Sequence, residues 1–318
     1  MIKNHIAPLL AAALLLAGCG DEPEKLSHLQ KCDNLRVVSL APNVTEILYA
    51  LGLSNEVVGV SRYSNYPFEV TKKPFVGGTY DPNWEMIVSL QPDLVIGLDS
   101  QKEIAAQLKQ LDINFLGVPH ERINDILQSI LIIGETCGAQ AEAQQLFQGL
   151  EKQLADFSKV WKNPPPASRT PPRRGFPETT SPPPQGFPLG RVDLDKPKVL
   201  VCIGHDEQLT RMYIAARNTF YDDLINLAGG TNACEQTAIK YPEISPEGLR
   251  AMQPDLVIDL VSDLGSRLSL RPNDFSKEWK PYRAVTITNS YAFIPGPRFV
   301  KLLEDLSTAI RQNNLEAE

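Results

Sequence analysis

PNWEMIVSLQPDLVIGL (residues 82–98) returns later in the chain as SPEGLRAMQPDLVIDL (residues 245–260). Aligned on the shared QPDLVI, Glu85 and Glu247 each stand six residues before a glutamine, an offset of 162 residues. Solenoid repeats recur every 20–50 residues or so, so this period is too long for one. It suits two related domains of about 100–150 residues each. Each copy reads as an acid-bearing helical stretch, a Pro-Asp turn and then a buried apolar strand.

The same grammar extends outward from both copies. In the first half LRVVSLAP (35–42) has a buried-strand pattern, and TEILYALGL is a helical run ended by Gly52. EVVGVSRYSNYP is a short strand that runs into an aromatic loop, and Gly77-Gly78 marks a tight turn. EIAAQLKQLDI is helical and NFLGVP a further strand. The second half restarts with the strand KPKVLVCIG (196–204), then the helix FYDDLINLA, the strand RAVTITN and a last helix from about Gly296-Pro297-Arg298. Strands alternating with helices predict parallel sheets covered by helices.

Between the halves, ERINDILQSILIIGETCG predicts one helix and AQAEAQQLFQGLEKQLADFSKVW a longer one. Its Ala143, Leu146, Leu150, Leu154, Phe157 and Val160 form a single apolar stripe. Such a helix is about 30 Å long, enough for a strut between two domains. The expected fold class is therefore α/β, with two Rossmann-like lobes around central parallel sheets, one long rigid helix joining them and a ligand cleft between. The expected boundaries are 35–137 for the first lobe, 138–162 for the connecting helix and 196–318 for the second lobe. Residues 163–195 form a proline-rich insertion whose composition cannot build a core.

The N-terminus stands apart. MIKNHIAPLLAAALLLAGCG (1–20) has an early lysine and an apolar run of about a dozen residues, shorter than the roughly 20 that span a bilayer. It predicts a secretory signal over 1–19. Leu16-Ala17-Gly18-Cys19 resembles a bacterial lipobox, which implies cleavage before Cys19 and its lipidation, with 20–34 as a tether to the membrane. The mature chain is then extracytoplasmic, periplasmic and lipid-anchored. Cys32, Cys137, Cys202 and Cys234 remain, and their pairing is open.

The chain has 318 residues, 42% of them hydrophobic, and a net charge of −7. That charge argues against nucleic acid as a partner. GxSxG, HExxH and GxxxxGK[ST] do not occur, so no enzyme class is signalled. His120 and His205 are the histidines of the predicted lobes, too few to hold a bare metal ion. A Ser–His–Asp arrangement on either histidine has no further support in the sequence.

VVSLAPNVTEILYALGLSNEVVGVSRYSNYP, VGGTYDPNWEMIVSLQPDLVI, TFYDDLINLAGGTNA, YPEISPEGL and PGPRF, in this order, resemble the periplasmic binding proteins for iron complexes or vitamin B12. The resemblance covers about residues 35–160 and 197–312; the proline-rich insertion departs from it. It implies delivery of cargo to an ABC importer with its permease dimer and ATPase subunits, by a monomer. It also implies docking through one surface glutamate per lobe, at the positions of Glu85 and Glu247. A first-turn acid also suits the helix dipole, and both roles can hold.

The cleft is expected at the carboxyl ends of the strands. The loops there carry Tyr63, Tyr66, Tyr80, Tyr213, Tyr241 and Tyr291, flat amphipathic side chains suited to a corrin or porphyrin. Vitamin B12-binding members have aromatic residues at the positions of Tyr63 and Tyr241. Thr79 stands where they have a tryptophan, and Ser290 where they have an acid. The expected cargo is vitamin B12 or another corrinoid. The alternatives are a ferric siderophore, held by Arg62, Arg211 or Arg217, and haem, with a tyrosine or His205 as axial ligand. His205 follows a strand and faces either the cleft or a hydrogen bond in its own loop. No resident cofactor is expected. A stiff connecting helix predicts small lobe closure.

Overall fold

The structure, a computed structural model, describes residues 35–162, 196–206, 208–261 and 282–317. The predicted signal with Cys19, the tether with Cys32 and the insertion 163–195 lie outside the described residues.

The first sheet is four-stranded and parallel, in the order β2-β1-β3-β4, from β1 (Val37–Ser39), β2 (Val57–Val60), β3 (Leu94–Leu98) and β4 (Asn114–Val118). Helices α1 (Pro42–Ala50), α2 (Trp84–Ser89), α3 (Lys102–Gln110) and α4 (Ile123–Thr136) connect and cover it. The second lobe has β5 (Lys198–His205), β6 (Met212–Ile214), α6 (Phe220–Leu227), β7 (Thr231–Asn232), β8 (Glu243–Ile244), α7 (Pro246–Met252), β9 (Leu256–Leu260) and β10 (Ala284–Ile287). The centre of this sheet is parallel, as expected. β10, β9, β5 and β7 pair in parallel, but β6 and β8 extend the sheet antiparallel. MYI and EI alternate over only two or three residues, too short to register as strands in a sequence.

The QPDLVI repeat has a structural reason. In both copies the glutamine adopts the left-handed conformation, with φ of 45° at Gln91 and 47° at Gln253, and turns the chain into the strand. The aspartate then clamps the first strand of its lobe. Arg36 N donates to Asp93 Oδ2 at 2.8 Å and Asp93 N donates to Arg36 O at 2.9 Å. Lys198 N donates to Asp255 Oδ2 at 2.7 Å and Asp255 N to Lys198 O at 2.8 Å. The strands that follow alternate identically. Leu94, Ile96 and Leu98 face one core, as do Leu256, Ile258 and Leu260, while Val95 and Val257 face two separate outer clusters.

That inner core is continuous through both lobes. It takes Ile126, Ile130 and Ile133 from α4, Ala143 and Leu150 from α5 (Gln140–Lys162), and Leu303 and Leu306 from the last helix, α8 (Phe299–Ala317). α5 is the predicted long helix; Ala143, Leu146, Leu150, Leu154 and Phe157 of its stripe join this core, and the helix packs on α4 and α8. A core shared by both lobes resists any hinge that would open it to water.

Candidate functional site

Two adjoining cavities lie between the lobes, at the carboxyl ends of the strands. One, of about 280 Å³, is lined by His120 and Glu121 from the first lobe and by Ile203, Phe220, Tyr221, Tyr241, Phe293 and Pro295 from the second. The other, of about 160 Å³, is lined by Ala41, Pro42 and Asn43 at the start of α1, by Thr79, Tyr80 and Leu98, and by Ile294. His120, Phe293 and Pro295 border both.

The first-lobe loops are fixed from beneath. In SRYSNYP the two serines are buried and the residues between them are exposed. Ser61 Oγ lies 2.9 Å from Ser64 Oγ, which lies 2.9 Å from Thr45 Oγ1, itself 2.8 Å from Ser39 Oγ. This hydroxyl chain ties the loop to β1 and α1 and leaves Tyr63 55% exposed. Gly77 turns at φ 95°, where a β-carbon would meet Asp81 O at 2.5 Å. Gln101 is buried, accepts from Leu98 N at 2.6 Å and donates to Thr79 O, which holds the Thr79-Tyr80 loop against β3.

The second-lobe wall is aromatic. Phe220 meets Tyr221 at 5.1 Å between ring centroids, and Tyr221 meets Tyr241 edge-on at 6.4 Å. Tyr221 Oη donates to Ala292 O at 2.9 Å. Burial, with Glu121 and Tyr80 nearby, pushes the Tyr241 hydroxyl up to about 12, so it stays protonated and able to donate. Tyr80 and Tyr241, 70% and 42% exposed, stand at the cleft mouth.

Polar clasps cross the cleft on both sides. Asp223 of α6 accepts from Arg122 Nε at 2.8 Å and from Ile123 N at 3.0 Å, so an acid of the second lobe caps α4 of the first. Lys240 pairs with Glu121. Arg298 Nε and Nη2 donate to Glu46 Oε2 and Oε1 at 3.0 and 2.5 Å, with both side chains largely buried. The same guanidinium lies 3.8 Å over the Tyr66 ring.

Of the residues expected in the cleft, Thr79, Tyr80 and Tyr241 line these cavities, and Tyr66 joins the lobes through Arg298. Tyr63 is exposed on its loop. Tyr213 sits on β6 with the Glu243 carboxylate beside it, on the antiparallel extension that the sequence reading missed. Tyr291 donates to Asp305 of α8 at 2.6 Å, and Ser290 begins the same short 3-10 turn. None of Tyr213, Ser290 and Tyr291 is among the residues lining the two cavities. His205 ends β5 with its side chain only 6% exposed, its Nε2 3.3 Å from Asp259 Oδ1. Asp259 shares a sheet face with Val257, away from Ile203 and the cleft. Arg62, Arg211 and Arg217 engage Asp81, Asp206 and Glu235 in exposed pairs.

His120 and Tyr221 line the cleft without having been assigned to it from sequence. The available signal for His120 was its place just after the strand NFLGV.

Glu85 and Glu247 are both exposed and occupy the second position of α2 and α7, behind capping Asn83 and Ser245. α2 and α7 pack on the two outer clusters through Ile87 and Leu249. Glu247 pairs with Arg250 at 2.7 Å, and its carboxyl is held below the usual range by hydrogen bonds from its own backbone N–H and from Ser245. Cys137, Cys202 and Cys234 are free thiols; burial pushes Cys137 and Cys202 up to about 12, too high for reactive thiolates at neutral pH. Among the described residues no group of three His, Cys, Asp or Glu is placed to hold a metal ion, and no helix is long and apolar enough to cross a membrane.

The periplasmic binding protein family model matches residues 37–168. The uncharacterized ABC transporter substrate-binding lipoprotein YvrC of Bacillus subtilis (strain 168) is 28% identical, over 96% of this chain and 95% of that protein. A vitamin B12-binding protein of Photorhabdus laumondii is 21% identical, over 90% of this chain and 92% of that one. The apo structure of the periplasmic heme-binding protein RhuT from Roseiflexus sp. RS-1 superposes with a TM-score of 0.66 at 25% identity, over 88% of this chain and 99% of that one. Together with the two-lobed fold, these matches carry one conclusion: the chain is similar to the periplasmic binding proteins, whose family model covers its residues 37–168.

Proposed function

We propose that this chain is the extracytoplasmic substrate-binding lipoprotein of an ABC importer, that it captures a large amphipathic metal chelate between its lobes, foremost vitamin B12 or another corrinoid, and that it docks on the permease through Glu85 and Glu247. The observation that carries the reading is the cleft itself. It is apolar and aromatic, built from both lobes, and sparing in polar groups. Such a lining suits a flat ring system with a polar rim. Exposed Tyr63, Tyr66, Tyr80 and Tyr241 add stacking faces with hydroxyl edges.

The names of the relatives, an ABC transporter lipoprotein and a vitamin B12-binding protein, support the importer role and the corrinoid. Haem is the second reading, favoured by the likeness to a heme-binding protein. A ferric siderophore has less support, because the arginines expected to hold an anionic chelate are engaged in exposed ion pairs with carboxylates. The lipoprotein relative supports anchoring at Cys19 outside the cytoplasm. The role is that of a carrier and not an enzyme, and the cargo is released unchanged. Titration of the purified chain with cyanocobalamin, haemin and a ferric hydroxamate tests the reading. Saturable one-to-one binding of a macrocycle is expected; binding of the hydroxamate alone would move the assignment to siderophores.

A further inference from the structure

We propose that the two docking acids act in sequence: Glu85 draws the permease in, and Glu247, held by Arg250 of its own helix, engages only once the surfaces have met. This rests on the docking reading above and adds an order of events and the residue, Arg250, that sets it.

The repeat allows the two faces to be compared position by position. Counted back from the shared glutamine, Asn83 matches Ser245 as the cap, Glu85 matches Glu247, and Ile87 matches Leu249 against the outer clusters. One position then differs in kind: Val88 stands where the other copy has Arg250. α2 has no basic residue, and Val88 is 47% exposed. Among the described residues Glu85 has no ion pair and no side-chain hydrogen bond. On α7, Arg250 Nη2 lies 2.7 Å from Glu247 Oε1, with side chains 65% and 74% exposed. The Glu247 carboxylate also accepts from its own N–H and from Ser245, so it lies folded back on the start of its helix.

Charge felt at a distance governs encounter, and the two faces differ there. Beyond the screening length, about 8 Å at physiological salt, the Glu247–Arg250 pair looks neutral. The lone carboxylate of Glu85 keeps its pull on a cationic surface out to that range, so steering by these helices comes from the first lobe. At contact the balance changes. An exposed ion pair is worth little, so a cation of the permease can take the place of Arg250 beside Glu247. That exchange holds the complex together without having helped to form it. Val88 beside Glu85 gives the stem of a long basic side chain an apolar shelf to lie on.

The test measures association and dissociation rates of the full chain with its own permease–ATPase complex in detergent, by biolayer interferometry at low and physiological salt. E85Q should associate about threefold more slowly, with a weaker salt dependence. R250Q leaves Glu247 bare and should associate faster than wild type by about the same factor. E247Q/R250Q removes both charges together; it should associate at the wild-type rate yet dissociate at least about threefold faster. These side chains are exposed, so the variants should keep the fold, which circular dichroism checks. Association slowed as much in E247Q/R250Q as in E85Q, or unchanged in R250Q, would overturn the order and leave docking on the two acids standing. Wild-type rates in every variant, or no binding of wild type to the complex, would take down the docking reading and this inference together.

Discussion

Replacing Asp223 with alanine removes two things at once: the cap on α4 and the carboxylate partner of Arg122. Loss of a helix cap costs about 1 kcal/mol. Hydrogen bonds to a charged group are worth about 1.5–3 kcal/mol. Arg122 is 39% exposed and Asp223 19%, so solvent screening reduces that second contribution to about 1–2 kcal/mol. D223A should therefore lose about 2–3 kcal/mol. With a urea slope of about 3 kcal/mol/M, the unfolding midpoint falls by about 0.7–1 M. D223N keeps an oxygen that can accept from Ile123 N, and Asn is as good a cap as Asp, so only about 1–2 kcal/mol should go. R122M should match D223N. Urea unfolding followed by circular dichroism reads all three variants. A D223A loss below about 0.5 kcal/mol, or equal losses in D223A and D223N, would refute an acid of one lobe capping a helix of the other.

D93A and D255A remove the same strand clamp from the two lobes, so both should lose a similar amount, about 1–2 kcal/mol, in the same urea experiment; a loss confined to one lobe contradicts the repeat. Burial raises the Glu46 carboxyl above its ordinary value of 4.5, outweighing Arg298. Its folded pKa is above the unfolded one, so its contribution to stability is fully present below pH 4.5 and is lost as pH rises through the raised value. Comparing wild type with E46Q across that window should show this slope in wild type alone. E85A and E247A, at exposed positions, should shift stability by less than about 0.5 kcal/mol. Both should slow association with the permease, and the effect should shrink as salt rises; unchanged association in the double variant would remove the docking role.

The lobes were legible because periodicity encodes them. QPDLVI repeats with its strand alternation, and the stripe from Ala143 to Val160 marks α5. Contacts across the cleft were not legible. Arg122 and Asp223 are 101 positions apart, and nothing local to either announces the other. The histidines show the same limit. His205 and His120 each lie at or just after the end of a strand, but Asp259 on a neighbouring strand draws His205 into the sheet, whereas the turn into α4 carries His120 to the cleft. Tyr213 belonged to a strand too short to have a pattern.

The central claim is that cargo sits between the lobes against the tyrosines of the cleft mouth. Calorimetric titration of wild type and of Y80A/Y241A with whichever of cyanocobalamin or haemin binds measures this directly. Stacking on two aromatic rings is worth more than about 1.4 kcal/mol together, so the account predicts one-to-one binding to wild type and at least tenfold weaker binding to the double variant. Equal affinity in the two proteins, or no binding of either macrocycle to wild type, would contradict it.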